Sequence, residues 1–405
     1  MTNVIILGAG RGLCLAHMIA LYPEVFAGHK VKGIVEIQEQ VHPKLRQKLD
    51  SYGLYDTKIF SSAEKTLQTI PKEEAEAVLI VTPNATHADY VELCLKYDRH
   101  VFLEKPIATN WDDAVRILRM AETSDKTVQL GFVLHYSLFY RKIKELTDSG
   151  KLGRLVSMQF GIQRDLDSEF MRGWRRLNKN TGGLMNEKSS HDLDLIQWIK
   201  GGQAYPVEVF SFAGREFFHR DTVVPYEHPE NCDECSDSTC PFRFKPESYA
   251  TREYALNPDF EQFRKCVYRT DADLFTDQTV LIRFSDDTHA TFNLNAVSGK
   301  SDRTVAIFGT EGNLFGNLAE AELTLMTFRD HKTEKISLRL NKDMVDMHGG
   351  GDIRILQEFF EVIEKNGIPA AKIKDGVTAS RLAFAADKSA VTGLKVDLEK
   401  EFPLP

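Results

Sequence analysis

The sequence predicts an α/β protein in two parts. Residues 1–127 read as a parallel sheet wound with helices, and residues 128–405 as an α/β domain with a large, mostly antiparallel open sheet. Three observations predict this. Short apolar runs alternate with amphipathic stretches through the first part, the pattern of βαβ units. The first apolar run ends in a glycine-rich turn that opens a helix. Beyond Gly150 the period changes, and strand follows strand with few helices between. At 405 residues the chain also exceeds what one ordinary core holds.

Taken in order, NVIILGAG (3–10) is a continuous apolar run, as a strand buried on both faces requires. VKGIVEI (31–37), KIF (58–60), AVLIVTP (77–83) and HVFLEKP (100–106) repeat it, with helix-like HADYVELCLKY and DDAVRILRMAET between them. VQLGFVL (128–134) reads as one more strand, and LFYRKIKELTDSG as an amphipathic helix closed by Gly150. LVSMQFGI, PVEVFSFAG, TVLIRFSDDTHATFNLNA, TVAIFGTEGNLFG, LTLMTF and KISLRL then read as antiparallel strands, with a hairpin turn at Asp286-Asp287. GDIRILQEFFEVIEKNG and a stretch near 377–391 read as closing helices. The polar stretch 215–275 fits neither period and reads as an insertion between strands.

Composition excludes several classes. Hydrophobic content of 42% and charged content of 27% are those of a globular protein. A net charge of −8 without clustered cations argues against a nucleic-acid partner. No apolar run approaches the ~20 residues that span a bilayer. The first residues enter a strand without a basic leader, so a cytoplasmic protein with no membrane partner is expected. Six cysteines are too few for a disulfide scaffold. Cys14 and Cys94 fall in apolar helical stretches and read as core fillers. Cys232, Cys235 and Cys240 cluster in NCDECSDSTCPF, with Cys266 as the remaining candidate for a fourth ligand. The C-x2-C opening suits zinc; the lack of a second matching pair suits thiols or a local disulfide, and both readings stand at this point.

The chemistry begins at the glycine turn. Gly8, Gly10 and Gly12 follow the first strand directly, with Arg11 between the last two and Leu13 where a third fingerprint glycine would fall. Glycine permits the tight turn and a close approach of backbone to a pyrophosphate, while the helix start supplies N–H groups and a favourable dipole. The next strand ends at Glu36, where a carboxylate accepts ribose hydroxyls and repels a 2′-phosphate. The following IQEQ contains no Arg or Lys, so the cofactor expected is NAD rather than NADP, on a Rossmann sheet.

In an open parallel sheet the carboxyl ends of the strands line the ligand crevice. That places Thr82, Pro83, Asn84 and His87 of TPNATH, and Glu104 and Lys105 of EKP, beside the cofactor. Lys105 is suited to hold a substrate hydroxyl and help remove its proton. His135 and Tyr136 follow the sixth strand, and Trp174 with Arg175 and Arg176 sits in WRRLNKNTGG; these are candidates for substrate contact. GGLMNEKSSHDLDL (182–195) then crowds Glu187, Lys188, His191, Asp192 and Asp194 into about two helical turns ahead of an apolar LIQWI.

The glycine turn, TPN…H, EKP, the switch from βαβ units to antiparallel strands and the GG…HDxD segment together resemble the glucose–fructose oxidoreductase, inositol dehydrogenase and rhizopine-catabolism (Gfo/Idh/MocA) family over nearly the whole chain. The resemblance implies a sugar, cyclitol or related small-molecule substrate, and a homo-oligomer built on the large sheet. It also implies an Asp four residues before the histidine; here Glu187 holds that place, one helical turn from His191. A histidine is suited to shuttle the hydroxyl proton, and Lys105 and Lys188 to place positive charge beside the oxygen. Glu187 then orients His191, Asp192 contacts substrate, and Asp194 is structural. Lys188 serves equally well as half of a surface ion pair. His348 and Asp352, in MHGGGDIRI, resemble a stretch before a late helix of the family, and Asp352 reads as its N-cap. The expected activity is NAD-dependent oxidation of a secondary alcohol of a sugar or cyclitol. The alternatives are a redox-neutral, glycoside-cleaving enzyme that keeps its NAD, and a non-catalytic NAD- or sugar-sensing module.

Overall fold

The computed structural model describes residues 2–26, 28–165, 168–202, 204–218, 228–245, 256, 263–338, 348 and 350–405. They divide into two compact units, one of 1–132, 229–266 and 353–374, the other of 133–228, 267–352 and 375–405.

The first unit holds a six-stranded parallel sheet in the order β3-β2-β1-β4-β5-β6. Its strands are β1 (Val4–Leu7), β2 (Val31–Val35), β3 (Lys58–Phe60), β4 (Ala77–Ile80), β5 (His100–Leu103) and β6 (Val128–Leu130). The helices between them are α1 (Ala9–Leu21), α2 (His42–Ser51), α3 (Ala63–Thr69), α4 (His87–Lys96) and α5 (Trp111–Thr123). All four residues of β1 and of β4 are buried, because helices cover both faces of a parallel sheet. The chain reverses between β3 and β4, so the carboxyl ends of β1 and β4 diverge into a crevice beside the glycine turn.

The expected boundary after residue 127 differs from the observed one. β6 pairs with β5 through Val101↔Val128 and Leu103↔Leu130, which makes it the last strand of the first sheet. A late segment returns to this unit as well. In α9 (Gly351–Lys365), Phe360 packs edge-on to Phe26 and Phe359 to Phe102. Gln129 of β6 donates to Ile355 O.

The second unit holds a nine-stranded sheet in the order β14-β13-β12-β11-β7-β10-β9-β8-β15. Its strands are β7 (Leu155–Asp165), β8 (Pro206–Gly214), β9 (Asp277–Phe284), β10 (His289–Ser298), β11 (Asp302–Gly309), β12 (Gly312–Asn317), β13 (Glu322–Thr327), β14 (Lys332–Ser337) and β15 (Val396–Asp397). β7 and β10 run parallel and the remaining pairs antiparallel. The burial of β9 alternates strictly, exposed then buried, as a sheet with one solvated face requires. The β9–β10 hairpin turns through Asp286 and Asp287, and Asp287 takes the left-handed φ of 63° that Asp tolerates. On the buried face lie α6 (Leu138–Asp148), α7 (Asn178–Thr181), α8 (Leu184–Lys200) and most of α10 (Ile373–Thr392), with α11 (Leu398–Glu401) at the end of the chain.

The cysteines depart from expectation. Cys94 is buried, but Cys14 is exposed on α1, because its position faces away from the sheet. Cys232 packs with Phe244 and Phe263 in a small apolar cluster of the first unit. Among the described residues no group of three or more His, Cys, Asp or Glu is placed to hold a metal ion, so the zinc reading of Cys232, Cys235 and Cys240 gains no support.

Candidate active site

In the first unit the glycine turn has the shape a dinucleotide needs. Gly8 has a φ of 99°, and a Cβ there would lie 2.7 Å from the Val81 carbonyl oxygen, so only glycine fits between β1 and β4. A Cβ on Gly12 would meet Ile6 Cγ2 at 2.5 Å, which is why α1 packs so closely on β1. α1 has no acidic residue in its first turn and no side-chain cap, so its amide end keeps its positive character for an anion. Leu13 is buried; its side chain belongs to the core rather than to a ligand. Glu36 lies just past β2, with Oε1 accepting the Gln38 N–H at 3.0 Å. This cradle, with a carboxylate at the second strand end, fits NAD.

The EKP motif is tied to that turn. Glu104 Oε1 pairs with Arg11 Nε at 3.4 Å, and its Oε2 accepts the Lys105 N–H at 3.1 Å. One carboxylate therefore links the phosphate-binding turn to the backbone of Lys105. The Lys105–Pro106 bond is cis. Asn84 is buried at the end of β4. His87, expected beside the cofactor, is fully buried instead. Its Nδ1 lies 2.9 Å from Pro106 O and its Nε2 3.2 Å from Thr82 O. Burial pushes its pKa below the usual histidine value, while the carbonyls pull the other way. His87 fastens the β4 turn to the EKP turn, and its role is structural.

In the second unit the polar residues of 182–195 lie on α8, and nearly all are buried. Gly183, at the helix start, has a φ of 92°, and a Cβ there would collide with Asp387 Oδ2 of α10 at 2.2 Å. Glu187 Oε1 meets Arg175 Nε at 3.2 Å, and the Arg175 guanidinium lies 4.8 Å from the Trp174 ring centroid. Arg175, expected to contact substrate, thus has a carboxylate of its own to neutralise. Lys188 is half-buried, with Nζ 5.4 Å from the Phe170 ring centroid. His191 is only 5% exposed, and its ring centroid is 6.3 Å from that of His348.

Three further expectations change. Asp192 is not turned to a substrate: Arg303 of β11 donates to it through Nε at 2.8 Å and Nη2 at 3.4 Å. His135 is sealed, with Nε2 2.5 Å from Asp194 Oδ2 and its ring stacked 4.4 Å from Trp198. Burial pushes the Asp194 carboxyl up, and the neighbouring His135 restrains that rise. Tyr136 is buried as well, so the pair after the sixth strand serves the core. Asp352 lies inside the first turn of α9 rather than ahead of it, and its Oδ2 is 2.8 Å from His348 Nδ1. Arg303 and Asp387 escaped the sequence reading because their partners are far away in the chain. His348 and Asp352 are singled out together in the sequence, and their four-residue spacing fits the contact between them.

Comparisons with known proteins bear on the family and the fold. Residues 2–132 match the family model described as oxidoreductase family, NAD-binding Rossmann fold. Residues 140–315 match that of the GFO/IDH/MocA C-terminal domain. The chain is 21% identical over 333 residues to the myo-inositol 2-dehydrogenase of Thermotoga maritima, covering 82% of this chain and 83% of that one. The solved structure of levoglucosan dehydrogenase in complex with NADH and levoglucosan shares the fold at a TM-score of 0.75 and 16% identity, over 98% of this chain and 99% of the other. An oxidoreductase domain protein from Kribbella flavida does so at 0.76 and 16%, over 98% and 100%. The chain belongs to the GFO/IDH/MocA oxidoreductase family, and its first unit is an NAD-binding Rossmann domain.

Proposed function

We propose that this protein is an NAD-dependent dehydrogenase that oxidises a secondary alcohol of a sugar, cyclitol or sugar derivative. The observation that carries the reading is a histidine, His191, one turn beyond a carboxylate, Glu187, whose charge is held in place by Arg175. Such a charge-stabilised carboxylate is suited to orient an imidazole. NAD, when bound by Gly8, Gly10, Arg11, Gly12 and Glu36, supplies the two-electron oxidant. His191 accepts the hydroxyl proton, Glu187 acts as a positioning residue, and Lys105 sets positive charge beside the developing alkoxide. Lys188 adds a second cation from α8. Relatives named as inositol dehydrogenases support a cyclitol or sugar as the substrate class.

The same reading extends to assembly and location. The solvated face of the large sheet carries Leu281, Phe315 and Met326, each exposed, beside a groove of about 630 Å³ lined by Gln159, Asn293 and Thr304. Apolar residues on an open sheet face favour burial against a second copy, and we assign this face to a homo-oligomer. Among the described residues no helix is long and apolar enough to cross a membrane. As the location of an NAD-dependent dehydrogenase we propose the cytoplasm, where its cofactor is held.

The test begins by denaturing freshly purified protein and identifying any nucleotide released. Turnover is then followed with NAD+ against myo-inositol, levoglucosan and glucose. Reversible NAD binding with cofactor reduction by one of these polyols is the expected result. Stoichiometric NAD that survives purification and is never net reduced would replace the dehydrogenase with redox-neutral chemistry. Failure to bind NAD at all would remove the assignment.

A further inference from the structure

The start of α8, the helix that carries Glu187 and His191, is fastened from α10. Ser380 and Asp387 lie seven residues apart, on one face of that second helix. Ser380 Oγ donates to Asn186 Oδ1 at 2.8 Å, and Asn186 Nδ2 donates to Thr181 O at 2.9 Å. Asp387 reaches Gly183, the residue that precedes α8, and its Oδ2 takes the space a Cβ there would need. Gly183 brings no side chain to cap α8, so Asp387 stands in the place of the missing cap. The Gly183 carbonyl in turn accepts the Glu187 N–H at 2.9 Å. One carboxyl therefore bears on the residue from which Glu187, and one turn later His191, are hung.

The surroundings of that carboxyl suit its neutral form. Asp387 Oδ1 is buried and accepts no hydrogen bond. Gln278 of β9 contacts the carboxyl, but its Nε2 also donates to Ser211 Oγ of β8 at 3.1 Å, and its Oε1 is buried with no donor. Among the described residues the charged groups beside it have partners elsewhere. Glu187, in the first turn of α8, pairs with Arg175, and Lys388, the next residue of α10, pairs with Glu401 at 2.6 Å. Acceptors outnumber donors here, and a proton on Asp387 is the donor that is lacking. Burial pushes the carboxyl up to about 7, with Gln278 restraining the rise.

Resting on the dehydrogenase reading above, we propose that Asp387 is a positioning residue of the reaction: neutral, it holds the start of α8 so that Glu187 and His191 keep their working arrangement, and ionised, it loosens that start. The ion lacks a hydrogen bond at Oδ1, and gains one when water enters between α10 and Gly183. Two opposite demands on pH result. His191 must lose its proton before it can accept one, so the rate rises through the histidine range. Asp387 must keep its proton, so the rate falls as pH passes about 7.

The experiment uses the whole protein and two readouts. Hydrogen exchange with mass spectrometry follows the amides of residues 184–191 in wild type and in Asp387→Asn, which is neutral at every pH. At about pH 8.5 the wild-type amides should exchange about 3- to 10-fold faster than those of the variant, and at about pH 6 the two should agree. Steady-state rates with NAD+ and the polyol that is turned over are then compared across the same range. The wild-type kcat should fall about 3- to 10-fold above its maximum, while Asp387→Asn keeps the rise and loses the fall. Gln278→Met, which removes the restraint, should move the fall to higher pH, and this holds even if Asp387→Asn folds poorly. Equal exchange in wild type and Asp387→Asn at both values overturns the proposal and leaves the dehydrogenase reading standing. A fall that persists in Asp387→Asn, or stays in place in Gln278→Met, does the same. Absence of cofactor reduction with every polyol removes that reading, and the part of Asp387 in the reaction with it.

Discussion

Asp192 follows His191 directly in the chain, yet its carboxylate is committed to Arg303 across 111 residues. Replacing it with Leu, which has the same heavy-atom branching, removes both acceptors and leaves a guanidinium in the interior. Breaking one side of a buried pair costs about 3–5 kcal/mol when both groups are fully enclosed. Arg303 retains 17% exposure and one of its two contacts is long, at 3.4 Å, so roughly 2–3 kcal/mol is expected here. For a unit of roughly two hundred residues, each kcal/mol shifts Tm by about 2–4 °C. The transition of the second unit should fall by about 5–10 °C in differential scanning calorimetry. Asp192→Leu combined with Arg303→Met removes the stranded charge and should recover at least half of that loss. A single variant within about 1 °C of wild type would refute the argument. So would a double variant whose loss equals the sum of the two single losses, since additivity means the side chains are not coupled.

Further outcomes follow from the same geometry. Gly8→Ala forces a Cβ against Val81 O at a φ of 99°, and should reduce NAD affinity at least about tenfold in isothermal titration, with a lower Tm. Lys105→Met and His191→Gln should each lower kcat on the polyol substrate by about 10²- to 10⁴-fold while leaving NAD binding within a few-fold, measured by fluorescence titration. Asp387 is pushed up to about 7 by burial, against a restraining contact from Gln278, and its Oδ1 is buried without a hydrogen-bond partner. A carboxyl raised in the fold binds its proton more tightly there than in the unfolded chain. Its contribution is therefore present at low pH and lost as pH rises from about 4 through 7. Asp387→Asn should accordingly raise Tm by a few degrees at pH 8 and change it little at pH 4, read by circular dichroism melts at both values. Substituting Leu281 and Phe315 on the solvated sheet face with Lys should lower the mass measured by light scattering if that face joins two copies.

The sequence by itself determined what depends on neighbours along the chain. Continuous apolar runs marked β1 and β4 as strands buried on both faces, and Asp286-Asp287 between two strand-like runs marked the β9–β10 hairpin. The glycine turn was legible because a positive φ and a missing Cβ are local demands. Glu187 and His191 could be placed on one helix by their four-residue spacing alone. Only the tertiary structure decided which ionisable groups are spent on one another. Nothing near Asp192 announces Arg303, nothing near Gly183 announces Asp387, and the seal of Trp198 over His135 joins residues 63 positions apart. The pairing of β6 with β5, and the return of α9 to the first unit, likewise moved the boundary from where periodicity had set it. The physical reason is common to all of these. A buried charge must find a counter-charge or a hydrogen bond wherever the fold brings one near, and that choice is made in space rather than along the chain.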